Sequence, residues 1–246
     1  MKLVAGSPFE WVARDIFYVG RDKAPDRLLS EKASQERNYD RLTIEIARAT
    51  LSNGDNSIDI GANAGYILKA LTRISPTGLH WAFEPIPRFV RHLRKNFPNV
   101  TVEQIALSDH TGIADFHFLP RDPACSSLLT RPEIESGREV QLLRTRVRRL
   151  DDCIPESTPI AFIKIDVEGA EAGVLRGAVQ LLRRCKPVVV FECSATALAD
   201  CARPLDEAGL HISFLADYMA DVRKDMSELM KIANESNEFY YVAAAG

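Results

Sequence analysis

A chain of 246 residues, 46% hydrophobic and 26% charged, is long and apolar enough to form one globular domain with a substantial core. A net charge of −3 excludes a dominant electrostatic attraction to nucleic acid. Neither an apolar run of about 20 residues nor a sustained apolar segment near Met1 is present, so no membrane span is expected and the expected location is cytoplasmic.

Cys125, Cys153, Cys185, Cys193 and Cys201 are scattered without CxxC spacing, so neither a zinc site nor a disulfide framework is signalled. Free thiols in a reducing compartment fit that pattern. Residues 1 to 25 are mixed; Phe9, Trp11, Val12, Ile16, Phe17 and Tyr18 read as a small cap. From Asp26 to Leu51 the spacing is helical, with Leu42, Ile44, Ile46, Ala47 and Leu51 on one face. A helix so placed before the first strand is a candidate to lie over a cofactor cleft; Tyr39 and Asp40 near its start read rather as its surface residues.

The stretch Asn56–Gly65, NSIDIGANAG, predicts a strand that ends in Asp59 and turns through Gly61 and Gly65 into a helix carrying Ile67, Leu68, Leu71 and Ile74. Strand, glycine turn and helix present backbone to a ligand at the carboxyl end of an open α/β sheet. Leu79–Phe83 is the second predicted strand, with Glu84 at its end and a helix from Arg88 to Phe97 after Pro85 and Pro87. Val100–Ala106 reads as a third strand. The residues from Ala106 to Arg149 interrupt this alternation, with extended pieces at Ile113–Leu119 and Val140–Val147. So long an excursion is a candidate for substrate recognition. Arg138, Arg144, Arg146, Arg148 and Arg149 crowd its end, and a solvated edge strand is a better reading of them than a phosphate site. Ser126 and Ser127 read equally well as plain loop or as contacts to substrate or cofactor.

Regular alternation returns at Ile160–Asp166, a run apolar enough to be buried on both faces. A helix with Val174, Leu175, Ala178, Leu181 and Leu182 inward follows. Pro187–Phe191 is the next strand and ends in Glu192. A helix over Ala197–Ala208, a strand over Gly209–Phe214, a helix over Met219–Ala233 and a final strand over Glu238–Ala243 complete the chain.

Asp59, Glu84, Asp166 and Glu192 therefore stand at strand ends that face one crevice. Carboxylates so gathered repel one another unless donors or a cation separate them, so the crevice expects diols, a positively charged ligand or a metal. A carboxylate roughly 25 residues past the first strand end is placed for a ribose diol. Gly61 and Gly65 are spaced as GxxxG, which is neither the GxGxxG of a dinucleotide site nor a P-loop. S-adenosylmethionine, with a ribose and a cationic sulfur, meets the requirement better.

The ordered segments IDIGANAGY, FEPIP, ALSD, the LDD of Leu150–Asp152, IKIDVEGAE, VLRGA and VVVFE resemble the FkbM-type methyltransferases over about Tyr39 to Phe214. The resemblance implies an α/β, Rossmann-like methyltransferase fold. Its sheet is mostly parallel and seven-stranded, with helices on both faces and an antiparallel last strand that Glu238–Ala243 fits. It implies S-adenosylmethionine-dependent O-methylation of a hydroxyl on a small molecule, a sugar or other secondary metabolite. Residues 1–52 would then be a helical cap or lid and 53–246 the methyltransferase domain, with 109–149 an insertion shaping the substrate site.

Carried over by position, Asp59, Gly61, Asn63 and Gly65 match the cofactor's first motif, and Glu84 the ribose ligand, followed by Pro85. Ala106, Leu107 and Ser108 fall at the adenine wall, and Asp166 and Glu168 beside the transferring methyl. Asp40 stands where the family often has Glu, a conservative departure. Asp166 is the first choice for a base, with Lys164 orienting it or closing an ion pair; alternatively Asp166 and Glu192 hold Mg²⁺, which lowers the hydroxyl pKa. Among the histidines, His110 and His117 are the best candidates for a base. The expected partner is a small hydroxyl acceptor, with no nucleic acid, and homo-oligomer formation is left open. A non-catalytic binding module on the same fold is the alternative reading, and the lack of an Asn/Asp-Pro-Pro-Tyr motif weakens N-methylation.

Overall fold

In the computed structural model, residues 31–129, 139–236 and 238–246 are described, with 31–34 and 36 described by backbone alone. The predicted cap before residue 31 and Arg138 lie outside the described residues. From the amino end the elements are α1 (Glu31–Thr50), β1 (Ser57–Ile60), α2 (Tyr66–Ile74), β2 (His80–Phe83), α3 (Pro87–Asn96) and β3 (Thr101–Glu103). Then come β4 (Ala106–Leu107), β5 (Gly112–Phe118), β6 (Gln141–Arg148), β7 (Phe162–Ile165), α4 (Glu171–Arg176) and α5 (Val179–Cys185). The rest are β8 (Val188–Glu192), α6 (Leu198–Glu207), β9 (His211–Phe214), α7 (Leu215–Met219), α8 (Met226–Glu235) and β10 (Tyr240–Ala244).

β1, β2 and β7 are buried at every position, as strands covered by helices on both faces must be. They lie in a seven-stranded sheet of order β3-β2-β1-β7-β8-β10-β9. Neighbours from β3 to β8 run parallel, and β10 runs antiparallel to both β8 and β9. One face packs Ile58, Ile60 and Phe191 against Val174, Leu182, Leu205 and Leu229 of the following helices. The other packs Phe162, Val190 and Val242 against Tyr39 and Ile46 of α1, Leu51 just after it, and Ile67 and Leu71 of α2. The doubly wound fold is that implied by the sequence.

Three elements differ from expectation. The strand read over Val100–Ala106 is two pieces: β3 pairs with β2 at the sheet edge, whereas β4 pairs parallel with the end of β6 in a separate sheet of order β4-β6-β5. Between them Ile105 turns into the main core at 1% exposure, which pulls the chain off the edge. The helix after Asp166 is broken between α4 and α5, because Gly177 lies against Ser108; a Cβ there would stand 2.1 Å from the Ser108 carbonyl oxygen. The helix read over Met219–Ala233 begins only at Met226, since Met219 ends the separate helix α7. Asp225 accepts the Glu228 N–H at 2.8 Å and starts α8 afresh, a capping signal present in the sequence.

Candidate active site

β1 ends between β2 and β7, so the glycine turn has Glu84 on one side and Asp166 on the other. Gly61 has φ +73°, and its N–H donates to the Phe83 carbonyl at 2.9 Å. A Cβ at Gly61 would lie 1.8 Å from the Asp166 carbonyl oxygen. The glycine is thus required first by the close approach of two strand ends, and not only by a ligand. At Gly65 (φ +84°) a Cβ would meet Leu93 and Phe97 of the α3 region.

Glu84 is 3% exposed and fixed by two backbone donors, Asn63 N–H to Oε2 and Ile86 N–H to Oε1, both at 2.9 Å. Burial lifts its pKa to about 7 despite those donors. Asn63 sits at φ +48°, which turns its amide toward that carboxylate.

On the other side, Lys164 pairs across strands with Asp59 in the β1–β7 register. Its Nζ stands 3.8 Å from Asp59 and 3.1 Å from Asp166, and donates to the Gly61 carbonyl at 3.3 Å. Burial disfavours the ammonium, but the Asp166 and Asp59 carboxylates outweigh it and hold the lysine above its ordinary pKa. Asp59 is sealed, neither oxygen having a hydrogen-bond partner among the described residues, and burial raises its pKa. A carboxyl so buried in the cleft floor, with Lys164 at 3.8 Å, keeps acceptor oxygens in reserve, and a cation entering the cleft favours its charged form, which fits a sulfonium ligand.

Asp166 also accepts a hydrogen bond from the Tyr240 hydroxyl at 3.0 Å. Burial opposes its charge, but Lys164, Glu192 and Tyr240 hold it below the usual carboxylate range. Glu192, opposite Tyr240 in the β8–β10 register, is pushed far up by burial and by the Asp166 charge. The two carboxyls are thus driven apart, Asp166 toward its charged form and Glu192 toward its neutral one. Asp166, Glu168 and Glu192 each bring an oxygen within 4.8 Å of the others.

A cleft of about 1270 Å³ gathers Asp59, Gly61, Asn63, Gly65, Glu84, Pro85, Ala106, Leu107, Lys164, Asp166, Glu168 and Glu192. Ser108 is not among its lining residues; it packs instead against Gly173 and Gly177. Tyr39 and Asp40, read as surface residues, are corrected. Tyr39 is 4% exposed, stacks on Tyr240 at 4.7 Å and donates to Glu238 at 2.7 Å, and Asp40 lines the cleft. Tyr240 and Phe239 line it too and were missed, because in EFYYVA they looked like ordinary strand residues.

Phe116, Cys125, Ser126 and Leu128 of the excursion form part of the wall. Ser126 accepts the Leu119 N–H and Ser127 is wholly buried, so both hydroxyls have structural work. His110 pairs with Asp109 at the surface and His117 bonds Ser127 through its backbone; neither lines the cleft, whereas His92 does. Arg144 and Arg146 are exposed on β6 beside Arg94, away from the cleft. The Cys193 and Cys201 thiols lie 3.4 Å apart and buried. Among the described residues no helix is long and apolar enough to cross a membrane.

A family model, that of the methyltransferase FkbM domain, matches residues 59–228. A curated relative, Methyltransferase 1 of Beauveria bassiana (strain ARSEF 2860), is 28% identical over 141 residues, 49% of this chain and 57% of that protein. The chain thus spans little more than half the length of that relative. Among solved structures, methyltransferase FkbM from Methylobacillus flagellatus KT is 18% identical, with 83% of this chain and 56% of that one covered and a TM-score of 0.48. A Streptococcus mutans protein solved in complex with SAH is 10% identical, with 83% of this chain and 96% of that one covered and the same TM-score of 0.48. Likeness at this level carries no argument about chemistry, and the fold rests on the sheet order. The family match runs from Asp59 through the Glu84, Asp166 and Glu192 strand ends, and on it the chain belongs to the methyltransferase FkbM domain family of S-adenosylmethionine-dependent enzymes.

Proposed function

We propose that the chain transfers a methyl group from S-adenosylmethionine to a hydroxyl oxygen of a small molecule, a sugar or natural-product alcohol. The observation that carries this reading is Asp166, paired with Lys164 at 3.1 Å and bonded by the Tyr240 hydroxyl at 3.0 Å, in the same cleft as the backbone-fixed Glu84. When bound, S-adenosylmethionine supplies a methyl group already activated on a cationic sulfur. Glu84 offers oxygens to the ribose diol. The Asp166 carboxylate favours the cation. Phe116, Leu128 and Phe239 wall off water.

Asp166 accepts a hydrogen bond from the acceptor hydroxyl and orients it. Its lowered pKa makes it a weak base before the methyl arrives. As the oxygen gains the methyl it becomes strongly acidic, and even a weak carboxylate base takes the proton. Glu168, beside Asp166, adds negative charge to that end.

The spacing of Asp166, Glu168 and Glu192 is one that Mg²⁺ accepts. Lys164, 3.1 Å from Asp166, already offsets charge there, so we favour the metal-free route. Isothermal titration with S-adenosylmethionine, followed by a screen of glycosylated and hydroxylated acceptors with labelled cofactor, tests the proposal. No binding to the folded chain sinks it. Turnover retained in EDTA supports the metal-free route, and loss restored by Mg²⁺ replaces it. A non-catalytic module is the outcome if the cofactor binds and is held without turnover.

A further inference from the structure

The Glu171 that closes IKIDVEGAE has no part in the chemistry above, yet it is 2% exposed, a burial that a carboxylate does not adopt without partners. Its Oε1 accepts the Val167 N–H at 3.1 Å and the Gly169 N–H at 3.0 Å. On the other side of the same loop, the Ser127 hydroxyl donates to the Glu168 carbonyl at 2.8 Å and itself accepts the Leu129 N–H at 3.1 Å. Ser127 is wholly buried.

The loop so held is strained. Glu168 has φ +58° and Gly169 φ +100°, so two successive residues are left-handed, one of them with a side chain. The Asp166 N–H still pairs with the Ile60 carbonyl of β1 at 3.1 Å, but past it the Val167 and Gly169 N–H groups and the Glu168 C=O are turned away from any helix or strand, and such groups need partners when buried. Glu171 takes the donors and Ser127 an acceptor. The residues fixed are those whose carboxylates converge with Glu192 within 4.8 Å.

We propose that Glu171 and Ser127 are positioning residues that clamp the loop Asp166–Gly169 from its two sides and so set where Asp166 and Glu168 present their carboxylates to the cleft. The inference rests on the reading of that cleft as the S-adenosylmethionine site. It also gives the excursion a second role. The segment that lines the cleft with Cys125, Ser126 and Leu128 is tied to the acidic loop by the Ser127 hydroxyl.

The test uses the full chain with SAH as the probe and two readouts, calorimetric affinity and amide exchange of the peptide spanning 160–172. Glu171→Ala is expected to weaken SAH about tenfold and to speed exchange at Val167 and Gly169 about a hundredfold. Glu171→Gln keeps an oxygen that accepts both N–H groups, and is expected to stay within about threefold of wild type on both readouts. Ser127→Ala is expected to weaken SAH about threefold, with faster exchange confined to the same peptide. Wild-type affinity and exchange in Glu171→Ala overturn the clamp. So does Glu171→Gln as damaging as Glu171→Ala, since charge rather than hydrogen bonding would then be what counts. A wild-type chain that does not bind SAH overturns the proposed function itself, and that is seen without any variant.

Discussion

Glu84 sits between two demands. Buried with a pKa of about 7 against an ordinary 4.5, it keeps a proton that the unfolded chain releases. Its contribution to stability is therefore fully present below about pH 4.5 and is lost as pH rises through about 7. A ribose diol donates to the ionised form, so ligand binding runs the other way. SAH affinity is expected to rise by about tenfold between about pH 6 and about pH 8. Glu84→Gln, measured by calorimetry at both pH values, is expected to bind about tenfold more weakly than wild type at the upper pH and to lose most of the dependence. A variant with the wild-type pH slope would remove Glu84 from the ribose role. The acid was legible in the sequence from its place at a strand end. Its fixing by Asn63 was not, because that needs the left-handed backbone at Asn63. The same holds for Gly61, whose spacing was readable while its closest neighbour, the Asp166 carbonyl oxygen, is remote in the chain.

Helix α1 and strand β10 come from opposite ends of the described chain and meet at the cleft. Tyr39 stacks on Tyr240, bonds Glu238 and receives the Gln35 amide, while Tyr240 reaches Asp166. Tyr39→Phe keeps the stack and loses the hydroxyl bonds, an expected cost of about 1–2 kcal/mol. Tyr39→Ala opens a cavity as well, with an expected cost of about 3–5 kcal/mol. Urea unfolding of the two variants checks the order; equal losses would mean that the ring contributes nothing beyond its hydroxyl. The helical spacing over Asp26–Leu51 was readable, but which face Tyr39 occupies depends on where β10 lies. Other motif residues act the same way between elements. Asp151 of the LDD accepts the Leu181 N–H at 2.9 Å and the Gln180 N–H at 3.3 Å, and so caps α5 from a distant loop.

Across the fold as a unit, ligand binding and folding are linked, because the cleft is assembled from β1, β2, β4, β7, β8 and β10 together. An unfolded chain has no such cleft. SAH at about a hundred times its Kd is expected to add about 2.7 kcal/mol to stability and to raise Tm by about 5–10 °C, measured by scanning calorimetry. An unchanged Tm at saturating ligand would contradict a preformed site. The alternation of strands and helices, the strand ends bearing Asp59, Glu84, Asp166 and Glu192, and the glycine turn were readable from periodicity and from local turn chemistry, since each depends on neighbours in sequence, whereas the seven-stranded sheet with its antiparallel last strand came from the family resemblance. The burial of Tyr39, the part of Tyr240, the exclusion of Ser108 and the two-sided hold on the Asp166–Gly169 loop were not. Each of these needs a contact between segments tens of residues apart, as Tyr39 to Tyr240 and Ser127 to Glu168 are, even though the Glu171 half of the loop's hold is local. Such contacts leave no period in the sequence, and they exist only once the sheet has set its strand order.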